Sequence, residues 1–284
     1  MKTDDLIGRG LANGKYEVLE ALGEGAMGRV YRARHAELRR QVAIKVLHPD
    51  VVADTNAVER LRREAQAASR LTHRAITQVY DFGASDDRFY IVMEFLDGQS
   101  LHDLLRRETL TEERAVHLMM ETLSALAQAH DQGIIHRDLK PENVMLVSRI
   151  SDDGAEVEGV KVCDFGIAKL APVRDETMAD APQLTEEGKV FGTPAYMAPE
   201  QGRGKKMDHR ADIYACGCML YRMVTGELPF TGDTAVEVML KHVLDVPTQP
   251  SSINMQLSRE LEAVILKAME KEPDHRFQTA RDMR

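Results

Sequence analysis

Apolar positions run at two different periods along this chain, and the change of period divides it. Short apolar stretches at 16–22 and 28–34 flank a glycine cluster and predict strand, turn, strand. A third strand is expected at 41–47, which is rich in β-branched residues. Over 56–71 the period lengthens, with Val58, Leu61, Ala65 and Ala68 at i, i+3, i+4 spacing, the pattern of an amphipathic helix. Two further strands read at 76–82 and 89–95, separated by the polar turn Ala84-Ser85-Asp86-Asp87. Five strands with one inserted helix make a small sheet-rich unit.

From Gly98 onward the period is helical, over 101–107, 111–132, 208–225, 234–244 and 258–271. Thr111 lacks the partner for a full capping box, but Thr-Glu-Glu is a sound helix start. The stretch 213–224 is apolar nearly all round, as expected of a buried central helix. The segments 149–159 and 171–188 are polar, charged and free of aromatics, and are expected to be the least ordered. The resulting division is an N-terminal extension over 1–14, a small unit over 15–97 and a larger one over 98–284. No internal repeat is visible.

Composition narrows the class. The chain has 284 residues, 43% hydrophobic and 29% charged, which excludes a disordered chain and a collagen-like fibre. Its three cysteines include no C-x-x-C pair, which excludes a disulfide framework and a thiolate zinc site and fits a reducing compartment. Residues 1–14 lack an apolar signal region, and the longest apolar run, 213–221, is about half the ~20 residues that span a bilayer. The expected location is cytoplasmic, either free or as the cytoplasmic part of a longer, membrane-anchored chain, with no membrane contact from the residues in hand. A net charge of −9 argues against nucleic acid as a partner. Residues 1–97 balance 15 basic against 15 acidic groups, so the whole excess lies in 98–284 and favours basic partners there.

The chemistry-bearing residues come in short motifs. Gly23-Glu24-Gly25-Ala26-Met27-Gly28-Arg29-Val30 matches G-x-G-x-x-G-x-V, in which missing Cβ atoms let backbone amides reach phosphate oxygens. A strand follows it rather than a helix, so it reads as a hairpin over phosphates and not as a dinucleotide fold. Val42-Ala43-Ile44-Lys45 puts a lysine inside an apolar strand, and Glu64 borders the apolar stripe of the following helix, where a carboxylate is costly. Turned inward, the two would pair. His136-Arg137-Asp138-Leu139-Lys140-Pro141-Glu142-Asn143 and Cys163-Asp164-Phe165-Gly166 then follow, and Ala198-Pro199-Glu200 after them.

With five motifs in this order, the sequence resembles the eukaryotic-like protein kinase family over residues 15–284, and Lys140-Pro141-Glu142-Asn143 resembles its Ser/Thr branch. The style of Ile134-Ile135-His136-Arg137-Asp138 is most similar to bacterial members. The resemblance implies an α+β, bilobal kinase fold: a small five-stranded antiparallel sheet lobe with one helix, and a larger, mainly helical lobe. It implies ATP and Mg²⁺, with Mn²⁺ as a substitute, and proteins with Ser or Thr acceptors as substrates.

Residue by residue, the resemblance places Lys45 on the α- and β-phosphates, held by Glu64, and gives Mg²⁺ to Asp164 and Asn143. Asp138 orients the acceptor hydroxyl and takes its proton, and Lys140 steadies the transferred phosphate. Leu22, Gly23, Glu24, Gly25, Ala26, Met27 and Gly28 cover the nucleotide; Val30, Ala43 and Met145 enclose the adenine; Glu94 and Leu96 meet its edge. Asp212 is implied to hold the catalytic-loop backbone and Arg276 to pair with Glu200. Thr185, with Thr177 second, is implied as an activating autophosphorylation site, made through a transient dimer. Glu142 is implied to favour basic residues upstream of the acceptor. A binding module without transfer activity is disfavoured because Lys45, Asp138, Asn143 and Asp164 are all present. A small-molecule phosphotransferase is disfavoured by the intact Gly192-Thr193-Pro194 and Ala198-Pro199-Glu200.

Overall fold

Strand alternation and helix caps account for most of the architecture. The computed structural model describes residues 6–25, 27–49, 55–85, 88–151, 153–165 and 194–284. These fall into two units, one formed by residues up to Thr72 with Thr77–Asp97, the other by His73–Ile76 with the described residues from Gly98 onward.

The smaller unit contains β1 (Gly10–Leu11), β2 (Tyr16–Gly25), β3 (Gly28–His35), β4 (Gln41–Leu47), α1 (Thr55–Arg70), β5 (Val79–Ser85) and β6 (Arg88–Glu94). All pairings are antiparallel, in the order β1-β2-β3-β4-β6-β5. Among the described residues the sheet therefore has six strands rather than the expected five. The extra strand lies in the segment read as a polar extension: Leu11 pairs with Tyr16, and both Leu6 and Leu11 are buried in the core around Val18, Ile44 and Val92. Two isolated leucines are too few to register as an alternating pattern. The fourth expected strand starts later than 76, because Ile76 instead makes a parallel bridge to Val162 in the larger unit's own residue set.

The larger unit contains β7 (Gly98–Ser100), α2 (Leu101–Leu105), α3 (Glu112–Asp131), β8 (Val144–Ile150), β9 (Glu156–Val162), α4 (Pro199–Gly202), α5 (Arg210–Thr225), α6 (Ala235–Leu244), α7 (Pro250–Ile253), α8 (Arg259–Ala268) and α9 (Ala280–Met283). Ser100, Thr111, Thr234, Ser258 and Thr279 each accept an N–H of the first turn, satisfying donors that have no partner within the helix. Helix α5 is buried along nearly its whole length and packs against α3 and α8. It stops at Gly226, whose φ of +78° and whose 2.6 Å approach of a would-be Cβ to Thr109 Oγ1 both require glycine.

The segment 149–159, expected to be poorly ordered, is instead the middle of a long hairpin. Strands β8 and β9 stay in register from Val144↔Val162 to Ile150↔Glu156, leaving only 151–155 as the turn. Two of its charged residues are taken up by α3. Arg149 pairs with Glu121 of α3, and Arg114 of α3 grips Glu158 through Nε and Nη2 at 3.0 and 2.7 Å. Glu121 also accepts the Val160 N–H at 2.9 Å, so a buried carboxylate fastens β9 to α3.

Candidate active site

In the smaller unit the hairpin between β2 and β3 carries the glycine motif. Gly25 pairs with Gly28, and a Cβ on Gly28 would lie 2.2 Å from Val46 O, so the hairpin sits directly on β4. Leu22, Gly23, Glu24 and Gly25 are exposed, while Ala26 lies outside the described residues. Strand β4 presents Ala43 and Lys45 on the same face, two residues apart, and Val30 of β3 pairs with Lys45. Lys45 is only 7% exposed. Glu94 ends β6, where its Oε2 accepts the Gln78 N–H at 3.3 Å, and Leu96 follows half-buried. Glu64 lies half-buried on α1 beside buried Ala65.

The larger unit builds its site on the loop between α3 and β8. Lys140 Nζ donates to Asp138 Oδ2 at 2.7 Å, and Asn143 Nδ2 donates to Asp138 O at 2.8 Å. The Cys163 N–H donates to Asn143 O at 2.8 Å, and His136 Nε2 donates to Cys163 O at 2.8 Å, so the stretch leading into Asp164 is tied to this loop from both directions. The His136 ring also lies 4.9 Å from that of Phe165. Met145 stands on β8 opposite Ser100 and Lys161.

Two residues here adopt left-handed backbone conformations that are costly without glycine: Arg137 at φ +70° and Asp164 at φ +60°. Such strain costs about 1–3 kcal/mol per residue and persists only where the surroundings over-determine it. The anchor is Asp212, near the start of α5. Its carboxylate accepts the backbone N–H groups of His136 and Arg137, each at 2.9 Å, and His130 Nε2 at 2.8 Å. Gln201 Nε2 donates to Arg137 O from the other side at 3.2 Å. Burial alone would push the Asp212 carboxyl upward; the hydrogen bonds from His130 and the His136 amide outweigh it, and the net shift is below the ordinary carboxylate value.

Arg276 and Glu200 form a buried ion pair elsewhere in this unit. Arg276 donates to both Glu200 oxygens at 2.8 and 2.7 Å, and to the carbonyls of Arg210, Glu270 and Lys271. Among the described residues no group of three or more His, Cys, Asp or Glu could hold a metal ion by itself.

A model of the protein kinase domain matches residues 16–283. The chain belongs to the protein kinase family. It is 46% identical over 278 residues to serine/threonine-protein kinase pkn3 of Myxococcus xanthus, covering 96% of this chain and 49% of that protein. It is 43% identical over 276 residues to serine/threonine-protein kinase PknB of Mycobacterium tuberculosis, covering 95% of this chain and 42% of that one. The chain thus spans about half, or less, of the length of these curated relatives. In structure it is similar to the kinase domain of PknI from Mycobacterium tuberculosis, at a TM-score of 0.72 and 28% identity, over 97% of this chain and 95% of that one. Both curated relatives are bacterial proteins named as Ser/Thr kinases.

Within the larger unit, the structure brings Asp138, Lys140 and Asn143 into direct contact and joins the Asp164 segment to them. The Asp212 anchor and the Arg276–Glu200 pair occur as the kinase resemblance implied. Thr177 and Thr185 lie outside the described residues. Three supporting residues were missing from the sequence reading: His130, Gln201 and Glu121. Each sits on a helix and none carries a motif of its own; the one available signal was the cost of burying Glu121 unpaired.

Proposed function

We propose that this kinase domain transfers the γ-phosphate of ATP to Ser and Thr hydroxyls of proteins. The observation that carries the reading is the Lys140–Asp138–Asn143 cluster, with the loop strained at Arg137 and held by Asp212. Loops are held in a strained conformation where positions matter to chemistry, and phosphoryl transfer depends almost wholly on position and charge. Asp138, with its side chain 40% exposed, is available to an acceptor hydroxyl, while Lys140 beside it offers a cation to a phosphate.

The donor set fits a hard divalent cation. Asn143 spends its amide N–H on Asp138 O, which leaves Oδ1 as its coordinating atom, and Asp164 adds carboxylate oxygen. Two protein ligands are too few alone, so phosphate and water oxygens would complete the shell. Mg²⁺, or Mn²⁺ in its place, supplies neutralisation of phosphate charge when bound. In the same reading Lys45, held by Glu64, binds phosphate oxygens; the glycine hairpin offers its amides; and Val30, Ala43, Met145, Glu94 and Leu96 receive the adenine.

The finer parts of the reading are substrate and control. Glu142 and the acidic excess of 98–284 favour acceptors with upstream Arg or Lys. Autophosphorylation at Thr185, with Thr177 second, would bring nearly two negative charges to the Arg137 loop through a transient dimer. The domain would act in the cytoplasm; among the described residues no helix is long and apolar enough to cross a membrane. Incubation with labelled ATP, Mg²⁺ and a protein acceptor tests the reading, followed by mapping of the labelled residues. Asp138→Asn is expected to lose about 10²–10⁴-fold in transfer while still binding ATP, and Lys45→Met serves as the control. Wild-type turnover in Asp138→Asn would overturn the mechanism.

A further inference from the structure

His48 lies just past the end of β4 and touches the glycine hairpin at two points. Its backbone N–H donates to Met27 O at 3.0 Å. Its ring Nε2 lies 3.1 Å from Gly25 O, and since a carbonyl only accepts, Nε2 carries the proton. Glu24 on the same hairpin brings Oε1 to 3.9 Å from that nitrogen, and Arg29 Nε approaches Glu24 Oε2 at 4.0 Å. One residue, three positions after Lys45, thus grips the hairpin on both sides of its turn.

The hairpin needs such a grip. A Cβ added at Gly23 or Gly25 would meet no atom within 4 Å, so neither glycine is wedged in place by packing. Glycine also loses more backbone freedom on ordering than any other residue. A glycine-rich turn that must be ordered to receive a ligand charges that entropy against affinity unless something orders it beforehand. Gly28 is fixed on β4 by close approach to Val46, but that contact lies at one end of the turn only.

We propose that His48 is a positioning residue that pre-orders the glycine hairpin for nucleotide phosphates; this rests on the reading of that hairpin as the phosphate-binding loop. His48 touches no reacting atom. Its loss weakens ground-state and transition-state binding of nucleotide equally, which raises KM for ATP and leaves kcat in place.

The test compares the parent protein with His48→Ala and His48→Gln, the glutamine keeping an N–H donor near the position of Nε2. Three quantities are read: the Kd of a fluorescent ATP analogue with Mg²⁺, kcat and KM for ATP, and hydrogen exchange of the amides over 23–28 without nucleotide. In His48→Ala, Kd and KM are expected to rise together by about fivefold, the worth of one ordinary hydrogen bond. Exchange over 23–28 is expected to quicken and kcat to stay within about twofold. His48→Gln is expected to return all three toward the parent. Unchanged Kd and exchange in His48→Ala, or His48→Gln behaving like His48→Ala, would overturn the proposal. The underlying reading has its own measurement: in the parent, Mg²⁺ and ATP should slow exchange over 23–28. Absence of that protection would mean the hairpin is no phosphate loop, and the nucleotide role of His48 would fall with it.

Discussion

Asp212, 1% exposed, holds a carboxylate oxygen 2.8 Å from Nε2 of His130, a residue 82 positions earlier in the chain. The same carboxylate receives two consecutive backbone amides of the catalytic loop, so α3, α5 and that loop meet at one buried charge. A buried carboxylate persists only when its lone pairs are filled, and here three donors fill them.

Asparagine at this position keeps one acceptor but turns an N–H₂ toward a donor. Asp212→Asn is therefore expected to cost about 3–5 kcal/mol, as breaking a buried charge network does, measured by urea unfolding. The pH dependence has a definite sign. Because folding depresses this carboxyl below its ordinary 3.8, the stability it contributes is complete above that pH and is lost as pH falls through the lower folded value. The parent should lose stability in strong acid by a component that Asp212→Asn lacks. Identical acid limbs in the two proteins would show that Asp212 is not held ionised.

Arg276 is fully enclosed and makes five hydrogen bonds, two to Glu200 and three to carbonyls. A lysine ammonium has three donors and no planar fork. Arg276→Lys is expected to cost about 3 kcal/mol, close to removing the partner altogether, because Glu200 stays buried with its pairing incomplete. A loss under about 1 kcal/mol in chemical denaturation would mean that a point charge suffices there.

The anchors and their supports differ in how they could be read from sequence. Asp212 and Arg276 were legible because each matches a position of the kinase family that the sequence resembles. His130 was not, since a histidine on the apolar side of a helix looks the same whether it fills space or holds a carboxylate. Strands β2 to β6 and the long helices were legible from period, with Thr111 marking the start of α3. The β8–β9 hairpin is not legible, because polar residues that pair with a distant helix look like solvent-facing loop in a local pattern. Their partners, Glu121 and Arg114, lie on α3, and pairing at that distance leaves no trace in a local pattern. Strand β1 failed for the opposite reason: it is two residues long and has no period to show.

Glu142, two residues after Lys140, lies with Oε1 3.0 Å from His102 Nδ1. If this carboxylate receives a substrate's basic residue, His102 competes with that residue for it. A peptide library should show preference for Arg or Lys upstream of the acceptor, reduced about five- to tenfold in Glu142→Gln and sharpened in His102→Ala. A preference for acidic residues upstream would rule the assignment out.

Lys271 gives the clearest alkaline signal. Its Nζ donates to His242 O at 2.7 Å and lies 4.5 Å from the centre of the Phe230 ring, half-buried. Burial is the main cause that lowers it from 10.5 to about 8; Arg276 and Arg203 push the same way, while Asp245 and Cys218 oppose them. The unfolded chain therefore binds more protons than the folded one between those two values. The folded state bears the cost of this charge in full below pH 8 and sheds it by about pH 10.5, so stability rises across that window. Lys271→Met removes the charge but keeps most of the volume against Phe230. Relative to the parent, its stability curve should be flatter between pH 8 and 10.5, by no more than the one-proton limit of about 1.4 kcal/mol per pH unit. Buried tyrosines such as Tyr196, pushed up to about 12, titrate alike in both proteins and cancel in the difference. Parallel curves across the window would mean that Lys271 ionises as a solvent-facing lysine does, and that the Phe230 contact does not desolvate it.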